Sequence, residues 1–154
     1  MSEEYTATVS WEPGAGEALS TRRYSRVHRW QFDGGIEVPA SASPLVVPPP
    51  LSSEAAVDPE EALVASIASC HMLFFLDLAS RKGLEILAYE DKAMGVMEKR
   101  EDGKTAMTRV TLKPQATYSG EADATLVEQL HHRAHELCYI ANSVNFPVEV
   151  DIQS

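Results

Sequence analysis

Residues 58–83, "DPEEALVASIASCHMLFFLDLASRKG", constrain the fold more than any other part of the chain. The segment carries helix punctuation at both ends. Asp58 is placed to be the N-cap, Pro59 fits the first helical position, and Glu61 completes a capping box. Arg81 and Lys82 suit the negative end of the helix dipole, and Gly83 reads as the C′ stop. Between these signals the sequence is apolar nearly all round, which predicts a central, buried helix. Its uncharged run, 62–76, falls short of the roughly 20 residues a bilayer requires, so a protein core is expected around it.

The flanking segments have a different period. Residues 4–12, "EYTATVSWE", alternate as a strand does. In "RRYSRVHRWQF", Tyr24, Arg26, His28 and Trp30 share one face. "DGG" at 33–35 signals a hairpin returning through "IEVPAS". Residues 41–57 form a Pro/Ser-rich connection, long for a small domain, and connections of that length are usually functional or wrap something. Two long strands, "EILAYEDKAMGVMEKRE" and "KTAMTRVTLKPQATYSG", flank the turn "EDGK". "EADATLVEQLHHRAHELCYIANSV" predicts a second helix and "NFPVEVDIQ" a last strand. The order β-β-β-α-β-β-α-β predicts an α+β fold, with antiparallel sheet packed on two helices. The length of 154 residues, with no internal repeat, suits one domain, 1–154.

The chain has 23 acidic and 13 basic side chains, a net charge of −10. That balance argues against nucleic acid, which needs a basic footprint, and against anionic membranes. The opening "MSEEYTATVSWEP" has neither a basic nor an apolar leader region, so a cytoplasmic protein is expected. In that compartment the two cysteines, Cys70 and Cys138, are expected to be reduced, catalytic or metal-binding rather than a permanent bridge.

Each cysteine has a bland reading as a small buried hydrophobe. A reactive thiol needs a nearby cation or donor. His71 is adjacent to Cys70 but about 100° away round the helix, and the helix start is about 16 Å distant, beyond useful dipole range. A rival constellation is His131, His135 and Cys138, spaced i, i+4 and i+7 so as to share a helix face and offer a soft-metal ligand set. A third reading is a non-catalytic protein that binds a small apolar ligand.

Two segments resemble the OsmC/Ohr family of osmotically inducible and organic hydroperoxide resistance proteins. "DPEEALVASIASC" is similar to that family's helix opening, with Cys70 ten residues after Glu60, and "CYIANSV" is similar to its second-cysteine segment. The order of elements agrees from about Tyr5 onward. The resemblance implies an OsmC-like α+β fold, with antiparallel sheets around two central helices in an intertwined homodimer. It implies a cysteine-based peroxidase that reduces organic hydroperoxides, in some members hydrogen peroxide, without a cofactor or metal. Cys70 would be the peroxidatic thiolate and Cys138 the resolving thiol, with a dithiol reductant restoring both. The family also uses an early arginine and the Glu of the Pro-Glu motif. Glu60 fits the latter. "TRRYSRVHRW" offers four arginines, of which Arg26 is preferred for sharing a face with Tyr24 and His28. Met72, Phe74, Phe75 and Leu76 are available as an apolar wall or as plain core. Two positions depart from the best-known members: His71 directly follows the first cysteine, and Tyr139 stands where many have Pro.

A homodimer is expected on a further ground. Ten residues of one helix separate Glu60 and Cys70 by about 15 Å, more than a carboxylate side chain spans. A Glu60 that serves Cys70 would then come from a second chain, across a largely apolar interface of more than about 2,000 Å².

Overall fold

The computed structural model describes residues 1–154. Two compact units emerge, residues 1–62 and 63–154.

In the first unit, β1 (Thr8–Ser10), β2 (His28–Gln31) and β3 (Glu37–Ala40) form an antiparallel sheet in that order. The predicted "DGG" hairpin closes through Phe32 N–H to the Ile36 carbonyl at 3.0 Å, with Gly35 at φ 83°. β2 is shorter than its alternation suggested. Arg26 N–H leaves the ladder and donates to the Leu51 carbonyl at 2.7 Å, so the strand starts only at His28. The Pro/Ser-rich connection folds back on the sheet: Ser41 N–H reaches the Val57 carbonyl, and Val57 N–H reaches that of Pro39. Serine hydroxyls hold the rest of it, Ser52 donating to the Val47 carbonyl at 2.6 Å and Ser41 accepting from Ser53 N–H at 3.0 Å.

The helix punctuation reads as expected. α1 (Pro59–Arg81) begins on a reciprocal capping box, with Asp58 N–H to Glu61 at 2.9 Å and Glu61 N–H to Asp58 at 2.8 Å. It ends in a Schellman motif. Gly83 at φ 75° lets its own N–H reach the Ser80 carbonyl and that of Leu84 reach Ala79. The 23-residue helix is, by length and composition alone, long and apolar enough to cross a membrane, so the shortness of the uncharged run was not a sufficient argument against a span. Nor is it buried all round. Only Ile67, His71, Phe75 and Ala79 are fully covered, a straight i, i+4 stripe, while Leu73 is 61% exposed.

The remainder of the second unit consists of β4 (Ile86–Asp91), β5 (Met94–Lys99), β6 (Thr105–Leu112), β7 (Pro114–Tyr118), α2 (Ala124–Leu137) and β8 (Val148–Val150). Each long strand of the predicted hairpin divides in two. β5 pairs with β6 beyond the Gly103 turn, and β4 pairs with β7 in a separate ladder. The break falls at Lys92–Ala93 and Lys113, where the side chain of Asp91 accepts the Lys113 N–H at 2.7 Å and Pro114 has no N–H to give. β8 joins β6 in parallel, so the sheets are not antiparallel throughout. α2 is shorter than predicted and ends at Leu137.

Two cores result. Ile67 packs with Met107, Val110, Leu112 and Val148, seating α1 on the β5-β6-β8 sheet. Phe75 and Ala79 pack with Val127, Leu130 and Ala134, seating α1 on α2. The first contact is close enough to require a glycine. A Cβ on Gly95 would lie 2.6 Å from both Val64 Cγ2 and Met107 Sδ. Methionine can yield, but a β-branched valine on a helix cannot easily. Gly95→Ala is therefore expected to lower stability by about 1–3 kcal/mol through overpacking. Urea midpoints at constant m-value check this; an unchanged midpoint would mean that α1 shifts freely on the sheet.

Candidate functional site

Cys70 and Cys138 come together in the second unit. Cys70 is half-buried on the α1 surface, and Cys138 is 1% exposed; both are free thiols. Cys138 is not on α2. It is the C-cap, with φ −60° and ψ 111°, and a short 3-10 turn (Ala141–Ser143) follows. Leaving the helix turns its sulfur toward α1. Sγ accepts the Ala141 N–H at 3.4 Å and lies 4.0 Å from the Ile67 carbonyl oxygen. Burial pushes the Cys138 thiol up to about 11, and its hydrogen bond with Cys70 pushes in the same direction. Cys138 is thus held protonated at neutral pH, with its S–H toward the Ile67 carbonyl.

The apolar residues near the thiols divide between packing and lining. Phe75 is fully buried, and Leu76 joins the same core. Phe74, one turn beyond Cys70, meets the exposed Tyr139 ring edge-on at 4.9 Å between centres. Met72 is half-buried.

Arg26 and Glu60 belong to the first unit. The Arg26 guanidinium lies 3.7 Å over the Tyr24 ring and donates to the Tyr24 carbonyl. With Tyr24 and His28 it lines a largely apolar groove of about 510 Å³ that also includes Val9, Trp11 and Leu19. The face-sharing read from the strand pattern is therefore present. Glu60 pairs with no arginine of its own chain, and its Oε2 is buried without a hydrogen-bond partner.

The histidines are arranged otherwise than the helix spacing suggested. Because α2 stops at Leu137, His131, His135 and Cys138 do not share a helical face. No group of three or more His, Cys, Asp or Glu is placed to hold a metal ion. Instead His131 bonds to His71. Nε2 of His71 and Nδ1 of His131 are 3.0 Å apart, with both residues buried. The ring planes differ by 3° and the centres are 5.3 Å apart, too far for face-to-face contact, so the rings meet edge to edge. The face of His131 lies on Phe75 at 3.9 Å. Sequence reasoning left this pair unassigned. The available signal was His71 at the centre of the stripe Ile67, His71, Phe75, Ala79, one imidazole in an apolar seam.

Desolvation lowers both imidazoles to about 4, helped at His71 by His135 and at His131 by His71. Both are neutral at pH 7. In the unfolded chain they protonate near pH 6.5, so stability is full above that pH and falls as pH drops toward 4. One such group accounts for on the order of 3 kcal/mol across the window. Denaturant titrations should show stability declining from pH 7 to pH 5, above the carboxylate range. The double variant His71→Leu/His131→Phe should show a much flatter profile. A flat wild-type profile would refute the buried neutral pair.

Comparison with known proteins places this geometry in a family. A family model described as OsmC-like protein matches residues 52–153. No curated protein matches the chain. The structure is similar to that of an OsmC-like protein of unknown function from Vibrio cholerae, with 49% identity, coverage of 99% of this chain and 100% of that one, and a TM-score of 0.94. Organic hydroperoxide resistance proteins share the fold at lower identity. That of Bacillus subtilis is 20% identical, covering 97% of this chain and 98% of that one at a TM-score of 0.67. That of Elizabethkingia anophelis is 15% identical, covering 99% and 95% at 0.71. The chain, with its α+β fold and its paired thiols, belongs to the OsmC-like family.

Proposed function

We propose that this protein is a thiol-dependent peroxidase that reduces organic hydroperoxides, with hydrogen peroxide as a second substrate. The observation that carries the reading is the thiol pair: a half-buried Cys70 beside a buried Cys138 whose thiol keeps its proton at neutral pH. Family membership supports it, since some structural neighbours are organic hydroperoxide resistance proteins.

The chemistry follows from the asymmetry of the two sulfurs. The Cys70 thiolate attacks the distal peroxide oxygen. The O–O bond breaks, the alkoxide leaves and takes a proton from water, and Cys70 becomes a sulfenic acid. Cys138 then displaces the sulfenic hydroxyl as water, forming the disulfide. A dithiol reductant restores both thiols by exchange. That donor requires a reducing compartment, so a cytoplasmic setting is part of the proposal. Phe74 and Tyr139 supply an apolar, partly exposed wall beside Cys70 for an alkyl group.

Arg26 and Glu60 enter as the pair that steadies the thiolate, supplied by a second copy of the chain in a homodimer. A guanidinium favours thiolate over thiol, and a carboxylate orients its planar fork. Two observations support the second copy. Glu60 has a buried carboxylate oxygen that nothing in its own chain satisfies. Of the most apolar 18-residue window of α1, only 22% is buried within the chain.

Stopped-flow reduction of cumene hydroperoxide, with thiols counted before and after, tests the cysteines. Cys70→Ser should abolish turnover. Cys138→Ser should consume about one equivalent and stop at a trappable sulfenic acid, open to over-oxidation. Multiple turnover in Cys70→Ser would sink the assignment. Light scattering at micromolar protein should report a dimer. Mixing inactive Cys70→Ser with inactive Glu60→Ala chains should restore part of the activity. No recovery despite proven subunit exchange would remove Glu60 from a shared site.

A further inference from the structure

Arg26 is held in place by its own chain and yet has no carboxylate partner there. Arg29, one of its neighbours in sequence, pairs with Glu12 at 3.5 Å; Arg26 makes no ion pair. Its guanidinium lies over the Tyr24 ring and spends Nη1 on the Tyr24 and Arg22 carbonyls. Nε and Nη2 are left as donors for another group. The side chain springs from a residue whose main-chain polar groups are both engaged outside the sheet. Arg26 N–H donates to the Leu51 carbonyl at 2.7 Å, and the Arg26 carbonyl lies 2.7 Å from His28 Nδ1.

The tautomer of His28 is fixed from both ends of its ring. His28 and Trp30 are two residues apart on β2 and so share a face. Trp30 Nε1 lies 3.1 Å from His28 Nε2. An indole N–H only donates, so His28 Nε2 is a bare acceptor. The ring proton is then on Nδ1, and the Arg26 carbonyl, which only accepts, demands the same. Trp30 is itself seated in the central strand of its sheet, opposite Val9 on β1 and Val38 on β3. A chain of hydrogen bonds thus runs from Trp30 through His28 to the residue at which the ladder stops. His28 also lines the groove beside Tyr24 and Arg26.

We infer that His28 is a positioning residue for Arg26: locked in its Nδ1–H tautomer by Trp30, it holds the Arg26 main chain out of the ladder, so that the guanidinium keeps its place on Tyr24 with Nε and Nη2 open to the Cys70 thiolate. This role rests on the reading above that Arg26 serves the Cys70 of a second copy. His28 itself touches no reacting atom, and no proton changes hands through it. The alternation of Tyr24, Arg26, His28 and Trp30 would let the strand run on through Arg26. The bonds to Leu51 and His28 stop it, and the direction of the Arg26 side chain follows from where they stop it. A fixed base matters for a long side chain, because a planar fork orders a charge usefully only when its own freedom has already been removed.

Alkylation of Cys70 by iodoacetamide at neutral pH, followed by peptide mass in the reduced full-length protein, reports the thiolate without any peroxide. Arg26→Ala should slow it by about 10-fold. His28→Leu should slow it several-fold. His28→Asn, whose amide N–H stands in for Nδ1–H, should restore most of the rate. The double variant His28→Leu/Arg26→Ala should be no slower than Arg26→Ala alone, since the imidazole acts only through the arginine. A merely structural role would give no such pattern: its losses would add, and Asn would not rescue them. With Arg26→Ala slowed, a wild-type rate in His28→Leu or additive losses in the double variant would overturn the role of His28 and leave the Arg26 reading standing. Arg26→Ala alkylated as fast as wild type would instead overturn the Arg26 reading, and the role of His28 with it. Should His28→Leu fail to fold, Trp30→Phe takes its place, because it frees the ring to carry its proton on Nε2. The same slowing, absent when Arg26 is already Ala, is expected there, and an unchanged rate would overturn the role.

Discussion

One hydrogen bond between two buried imidazoles sets the placement of α1 against α2. His71 is the only polar member of an otherwise apolar stripe on α1, and His131 is its counterpart on α2. In an apolar seam either imidazole alone would be left unsatisfied, at a cost of about 1–3 kcal/mol. A shift of one helix past the other by a turn would strand both. Leucines and alanines in the same positions would slide with little penalty. The pair therefore selects one register among several that apolar packing would accept. With that register fixed, the end of α2 falls beside Ile67, and Cys138 is delivered to Cys70.

The break in the long hairpin acts in a similar way. A continuous two-stranded ribbon would offer one face to α1 and leave α2 without a sheet beneath it. The divided hairpin offers two short ladders. The β5-β6 half packs on the Ile67 side of α1, where Gly95 permits the closest approach. The β4-β7 half contributes Ile86, Tyr89, Ala116 and Tyr118 to the core around Phe75. Asp91, bonded to the Lys113 N–H, holds the hinge between them. The two cysteines lie where the two cores meet along α1.

The sulfurs differ because their burial differs. Cys70 lies on a helix surface that is partly open, while Cys138 is capped by a tight turn and covered by α1. Desolvation penalises a thiolate, so the buried Cys138 keeps its proton.

The local elements were legible in the sequence because they depend on local rules. The capping box of Asp58 and Glu61, the Gly83 stop, the turns at Gly35 and Gly103, and the α+β order all follow from backbone demands that near neighbours satisfy. The resemblance of the two cysteine segments gave the family. Other features depended on partners distant in sequence. The length of β2 was decided by Leu51 taking the Arg26 N–H, and the parallel seat of β8 by an unpaired edge of β6. The helical face proposed for His131, His135 and Cys138 failed because a 3.6-residue period was extended past the true end of α2 at Leu137, where no glycine or proline marks the stop. The bond from His71 to His131 spans sixty residues. A sequence shows each as a histidine at a helical position. Which polar groups are buried together, and so must satisfy one another, is settled only when the helices pack.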